Sequence, residues 1–172
     1  GWIMDTGFYV NAGGLLALAI GTAHLHLGRW AWSLGILCLA LLALVTVLLG
    51  IWDTFHNVGD DVEDLTVHTQ ITYALAPLYL VGPLAMIGGA VRLMPNARVL
   101  FAASAILWAV LATAFKLVPT DFDGILEKAA VAATYLWTLP LSVLLLRRGR
   151  AGARVVAGQP GGRNRPERGG VA

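Results

Sequence analysis

The chain has 172 residues, of which 58% are hydrophobic and only 13% charged, and a formal net charge of +2 at pH 7. A soluble domain carries about 25% charged residues. With a mean hydropathy of +0.72, this composition excludes an ordinary water-soluble domain and points to lipid as the solvent.

A membrane span needs about 20 mostly apolar residues, and five such segments follow in order. Upstream of them Gly1 is an unusual start, and Met4 is read either as the initiator or as an internal residue of a longer chain. No basic region precedes the first apolar run, so a cleavable signal peptide is not expected. The first predicted span is Phe8 to Leu27, in which Asn11, Thr22 and His26 fall near one face. Its Gly13, Gly14 and Gly21 suit close helix packing, so this face reads as a helix–helix seam. His24 and His26, two residues apart near the end of this span, point about 200° apart on a helix and cannot share a ligand. They read as interfacial side chains beside Arg29.

The second predicted span, Ala31 to Ile51, is the most lipid-like and contains the only cysteine, Cys38, which builds no disulfide framework. Trp30, Trp32 and Trp52 stand at span ends, where their amphipathic rings favour the interface. The third, Gln70 to Val91, contains Pro77 and Pro83, which predict a kinked helix. The fourth runs from Val99 to Val118 and is stopped by Pro119. The fifth runs from Ile125 to Leu146, with Thr120 or Asp123 as its N-cap and Lys116 available to pair with Asp121 or Glu127. From Gly149 onward the composition turns to Gly, Arg and Pro without apolar periodicity, which predicts a disordered basic tail over 149–172 after a helical bundle over 1–148.

Taking the segments between spans alternately sorts the charges. One side receives ten of the twelve basic residues, namely Arg29, Arg92, Arg98 and the seven arginines of the tail, with Glu167 as the one acid among them. The other side receives nine of the ten acidic residues, together with Lys116 and Lys128. The expected fold is therefore all-α, a polytopic bundle of five transmembrane helices with its N-terminus outside and its C-terminus inside. The expected location is the cell membrane, of the bacterial plasma-membrane type. Its first partner is the lipid bilayer, with partner subunits in the membrane as a further expectation and no nucleic acid.

Between spans two and three lies "GIWDTFHNVGDDVEDLTVHTQ", residues 50–70, which holds five acidic residues and two of the four histidines. If the second helix continues past Trp52, Asp53, His56 and Asp60 fall at i, i+3 and i+7 along one face. Gly59 offers a break, and His68 stands just before the third span returns to the membrane. Two imidazoles with one or more of the carboxylates Asp53, Asp60 and Asp64 form a mixed N/O donor set suited to Cu, Zn or Fe. Asp60, Asp61, Glu63 and Asp64 also raise the local cation concentration. The other reading is a solvated acidic outer loop.

The order Asp53, His56, His68 resembles the metal motif of the C subunit of the copper membrane monooxygenases, which act on methane and ammonia. That motif has gaps of three and twelve residues, whereas the gaps here are two and eleven, and the likeness covers about 16 residues of a shorter chain. It implies a similar metal-site architecture and leaves oxygenase activity open. The Trp52, Asp53, His56 run also looks like one found in small polytopic bacterial proteins.

No Gly-rich phosphate loop, nucleophile elbow or zincin motif is present, and the histidines do not place two axial ligands at one depth on two helices, so neither a nucleotide nor haem is expected. Three functions remain open: a membrane protein with an outer His/carboxylate metal site, a small transporter, and an accessory or scaffold subunit of a membrane complex. The spans are nearly free of charge, which disfavours a proton-driven transporter. Single cysteines placed in 57–66 are expected to label from outside the cell and those in 150–170 only from inside. Labelling of both regions from one side would contradict an odd number of spans.

Overall fold

The computed structural model describes residues 2–25, 27, 30–55, 67–117 and 123–158. They form five helices: α1 (Trp2–Ala23), α2 (Trp30–Phe55), α3 (Val67–Ala90), α4 (Ala97–Leu117) and α5 (Asp123–Gly158). Among the described residues there is no strand. Each helix contains a stretch long and apolar enough to cross a bilayer, as the sequence leads one to expect. In hydrocarbon a backbone polar group has no water to bond, so a chain this apolar satisfies its N–H and C=O groups within helices.

Two boundaries differ from expectation. α1 starts at Trp2 and ends at Ala23, so His24 lies in a turn and not on the helix. Its ring stays local: the Nδ1 of exposed His24 is 2.7 Å from the carbonyl oxygen of Ile20. α5 continues past Leu146 and Gly149 to Gly158, so 149–158 is helical. The remainder of the expected tail lies outside the described residues.

Neighbours in sequence pack side by side, and α1 also meets α5. Contacts fix the directions. Gly50 of α2 meets Phe8 and Tyr9 of α1, and the Trp32 indole Nε1 donates to the Thr22 carbonyl at 3.2 Å, so α1 and α2 are antiparallel. α2 and α3 are antiparallel through Trp32 with Gly89, Gly35 with Met86 and Cys38 with Gly82. Tyr79 of α3 stacks on Trp108 of α4 at 5.4 Å between centroids. Phe101 of α4 sets its edge against Trp137 of α5, and the Ser104 hydroxyl donates to the Ala133 carbonyl at 2.7 Å. Gly21 of α1 packs on Leu145 of α5.

The core runs through all five helices and includes Leu15 and Leu18 of α1, Leu39 and Leu42 of α2, Met86 of α3, Phe101 of α4, and Trp137 and Leu141 of α5. Buried polar side chains among the described residues are hydroxyls, and all but Ser104, which reaches across to Ala133, turn back on their own helices. Thr22 donates to the Leu18 carbonyl at 2.6 Å, Thr46 to Leu42 at 2.7 Å and Thr138 to Thr134 at 3.1 Å. This is the cheap way to bury a hydroxyl in an apolar bundle, because no second helix need be aligned to receive it. The buried Trp137 Nε1 has no hydrogen-bond partner.

The outward surface is apolar as well. Val10, Ile20, Leu44, Val99, Ile106, Val110 and Leu139 are all exposed, which in water would be an aggregation hazard and in lipid is solvation.

Glycine use separates seam from surface. A Cβ on Gly89 would stand 2.5 Å from Cε3 of the buried Trp32 ring, and one on Gly35 would collide with Met86 and stand 3.2 Å from the Gly82 carbonyl oxygen. A Cβ on Gly13 or Gly14 would meet nothing within 4 Å, so of the three glycines expected to pack α1 closely only Gly21 does so. Asn11 is likewise exposed while Thr22 is buried, so the two do not share the seam.

Gly89→Ala is expected to destabilise the detergent-solubilised protein by about 1–3 kcal/mol, the usual cost of overpacking against a rigid neighbour. Gly13→Ala, on an open helix face, should instead be neutral or stabilising by up to about 1 kcal/mol through helix propensity. Thermal unfolding of the two variants side by side checks the assignment of seam and surface.

Candidate functional site

The alternation of helix direction decides which residues can meet. The start of α1, the last turn of α2, the first turn of α3, the last turn of α4 and the first turn of α5 share one end of the bundle. Asp53 belongs to that last turn of α2 and His68 to that first turn of α3. Because α2 and α3 are antiparallel neighbours, Asp53 and His68 stand at the same end of the bundle. Eleven residues, 56–66, connect them.

Of the five candidate ligands, Asp53 and His68 are thus placed by their helices, while their side chains lie outside what the structure describes. His56, Asp60 and Asp64 lie outside the described residues altogether, as do Asp61, Glu63 and Gly59. The described part of α2 ends at Phe55, one residue short of His56. Among the described residues no group of three or more His, Cys, Asp or Glu is close enough to hold an ion.

The donor set itself fits a transition metal: two imidazoles and up to three carboxylates supply nitrogen and oxygen ligands of the kind Zn, Cu and Fe accept. The same end of the bundle carries the starts of α1 and α5, so Asp5 and Asp123 stand there too. The other end carries Arg92, Arg98, Arg147, Arg148 and Arg150, all exposed. The sorting of charge read from the loops is therefore a polarity of the folded bundle, acidic at one end and basic at the other.

Second candidates fare as follows. His24 is at the basic end, on the far side of the bundle from His68, and cannot join it. His26 lies outside the described residues. Pro77 and Pro83 both fall inside α3, with Pro83 buried and Pro77 exposed. Each proline lacks the N–H that a helix residue would otherwise donate to the carbonyl four residues earlier. Lys116 belongs to the last turn of α4 and Glu127 to the first turns of α5, both at the acidic end. Pro119, expected to stop one helix, Thr120, expected as one candidate cap of the next, and Asp121, expected as one partner of Lys116, lie outside the described residues, whereas Asp123, the other cap candidate, opens α5.

A signal absent from the sequence reading is the complementarity of the α2–α3 seam. Large and small residues alternate across it, with Trp32 on Gly89, Met86 on Gly35 and Cys38 on Gly82. The sequence contains the glycines, but not which of them face a partner.

Among the described residues the fold is all-helical, with five helices long and apolar enough to span a membrane. Comparison of the chain with protein-family models, with curated proteins and with solved structures finds no match.

Proposed function

We propose that this protein is a five-span component of the cell membrane whose outer end binds a divalent transition metal. The ligands are Asp53, His56 and His68, with Asp60 or Asp64 as a further ligand or as a hydrogen-bond partner that orients an imidazole. The single observation carrying this reading is the antiparallel, glycine-tight pairing of α2 and α3, which brings the last turn of one and the first turn of the other to the same end. Asp53 and His68, fifteen residues apart in sequence, therefore stand at the same end of the bundle.

The acidic end faces outside and the basic end the cytoplasm, by the preference of arginine and lysine for the inner side. The order of the ligands is that of the metal motif in the C subunit of the copper membrane monooxygenases, which supports copper as the first ion to try and zinc and iron after it. When bound, such an ion supplies Lewis-acid or redox chemistry at the outer face. The chain's own part is to hold two neutral imidazoles and at least one carboxylate at the lipid boundary. A transporter is less well supported: no acidic or basic side chain is buried among the described residues, and proton-coupled transporters rely on such groups within the bilayer.

Purified full-length protein is expected to gain about 2.7 kcal/mol of stability when the metal is present at a hundredfold excess over its dissociation constant. The gain should fade below about pH 6, because an imidazole binds metal only when neutral and protons then compete for it. His56→Ala and His68→Ala should each abolish the shift, and His24→Ala should retain it. An unchanged shift in both of the first two variants would remove this site from consideration.

A further inference from the structure

The helical extension of α5 places three arginines on one stripe. With 100° per residue, Arg147, Arg150 and Arg154 fall within about 60° of one another. That stripe continues the outward face of the span: Tyr135, Leu139, Val143 and Leu146 are exposed in register above it, whereas Trp137, Leu141 and Leu145 turn toward the bundle. Arg147 and Arg150 are exposed. Arg148 stands roughly opposite, beneath the bundle.

Depth follows from helix rise. At 1.5 Å per residue, Arg147 and Arg150 lie about 1.5 and 6 Å beyond Leu146, and Arg154 about 12 Å beyond it. The headgroup layer on each side of the hydrocarbon is about 5–7 Å thick. With Leu146 at the end of the apolar face, Arg147 and Arg150 are at the level of the lipid phosphates and Arg154 stands about 5 Å beyond that layer. An unbroken helix to Gly158 holds them there as a fixed row, which a flexible tail would not.

We propose that this row is a docking site for anionic phospholipids: the acyl chains lie along Tyr135, Leu139, Val143 and Leu146, the charged headgroups are held by Arg147 and Arg150, and Arg154 adds its charge just beyond them. Two features select this occupant. The arginines continue a face that is already apolar and outward, so what covers the one covers the other. Their charge calls for a phosphate, which arginine engages in bidentate fashion. The site is independent of the metal reading and stands at the opposite end of the bundle.

The test uses full-length protein reconstituted in phosphatidylcholine, probed by the motionally restricted fraction of spin-labelled phosphatidylglycerol and, separately, of spin-labelled phosphatidylcholine. The expected result is a preference for the anionic label that falls by roughly fivefold for each arginine removed in the series Arg147→Gln, Arg150→Gln, Arg154→Gln, the factor that corresponds to the contribution of one surface charge. Lys128→Gln at the other end should leave the preference unchanged, and the zwitterionic label should be indifferent to all four substitutions. A preference that survives the triple substitution, or that inorganic phosphate abolishes as effectively as anionic lipid does, overturns the proposal. Far-UV circular dichroism of the triple variant confirms that the helices are intact in the sample measured.

Discussion

At Gly35, Gly82 and Gly89 the missing side chains let α2 and α3 approach until Met86, Cys38, Trp137 and Trp32 occupy the space a Cβ would need. In lipid, apolar residues gain nothing by leaving solvent, because solvent is apolar too. Helices then associate through van der Waals contact and a few hydrogen bonds, and close approach between small residues matters more than hydrophobicity. Interhelical hydrogen bonds from Trp32 to Thr22 and from Ser104 to Ala133 add direction to this packing. The antiparallel α2–α3 pairing also bears on the acidic end, since it puts Asp53 and His68 at the same end of the bundle.

Polarity is the second consequence of the topology. Five antiparallel-alternating helices put one terminus at each end, and the acidic and basic residues separate accordingly. Acidic residues at one end attract cations, while arginines at the other end favour anionic lipid. The metal reading and the lipid reading use opposite ends, and one span count underlies both.

The span positions were legible because lipid imposes a length and an apolar composition that few other constraints mimic; Ala31 to Ile51 against Trp30–Phe55 is the clearest instance. The seam was not legible. In a soluble helix the buried face is more apolar than the exposed one, but here Leu42 is buried and Leu44 faces outward, and nothing in residue type tells them apart. The same ambiguity hid the role of Gly21 and suggested one for Gly13 and Gly14, which stand open. The extension of α5 was missed for a different reason. Gly149 and Gly152 lower helix propensity by about 1 kcal/mol each, but a helix already nucleated by a long span adds each further residue without a new nucleation cost. For the candidate site, the pairing of donor types at two span ends was readable, and that those ends share one end of the bundle follows from the fold.

The most direct measurement of the central claim is the separation of Asp53 and His68. Cys38→Ala removes the native thiol, and Asp53→Cys with His68→Cys supplies two spin-label sites in the full-length protein reconstituted in lipid. Neighbouring helix ends, with axes about 8–10 Å apart, predict strong dipolar broadening in the doubly labelled protein relative to the sum of the two singly labelled ones. A doubly labelled spectrum equal to that sum would mean that the two helix ends stand apart, and would contradict both the α2–α3 pairing and the site built on it.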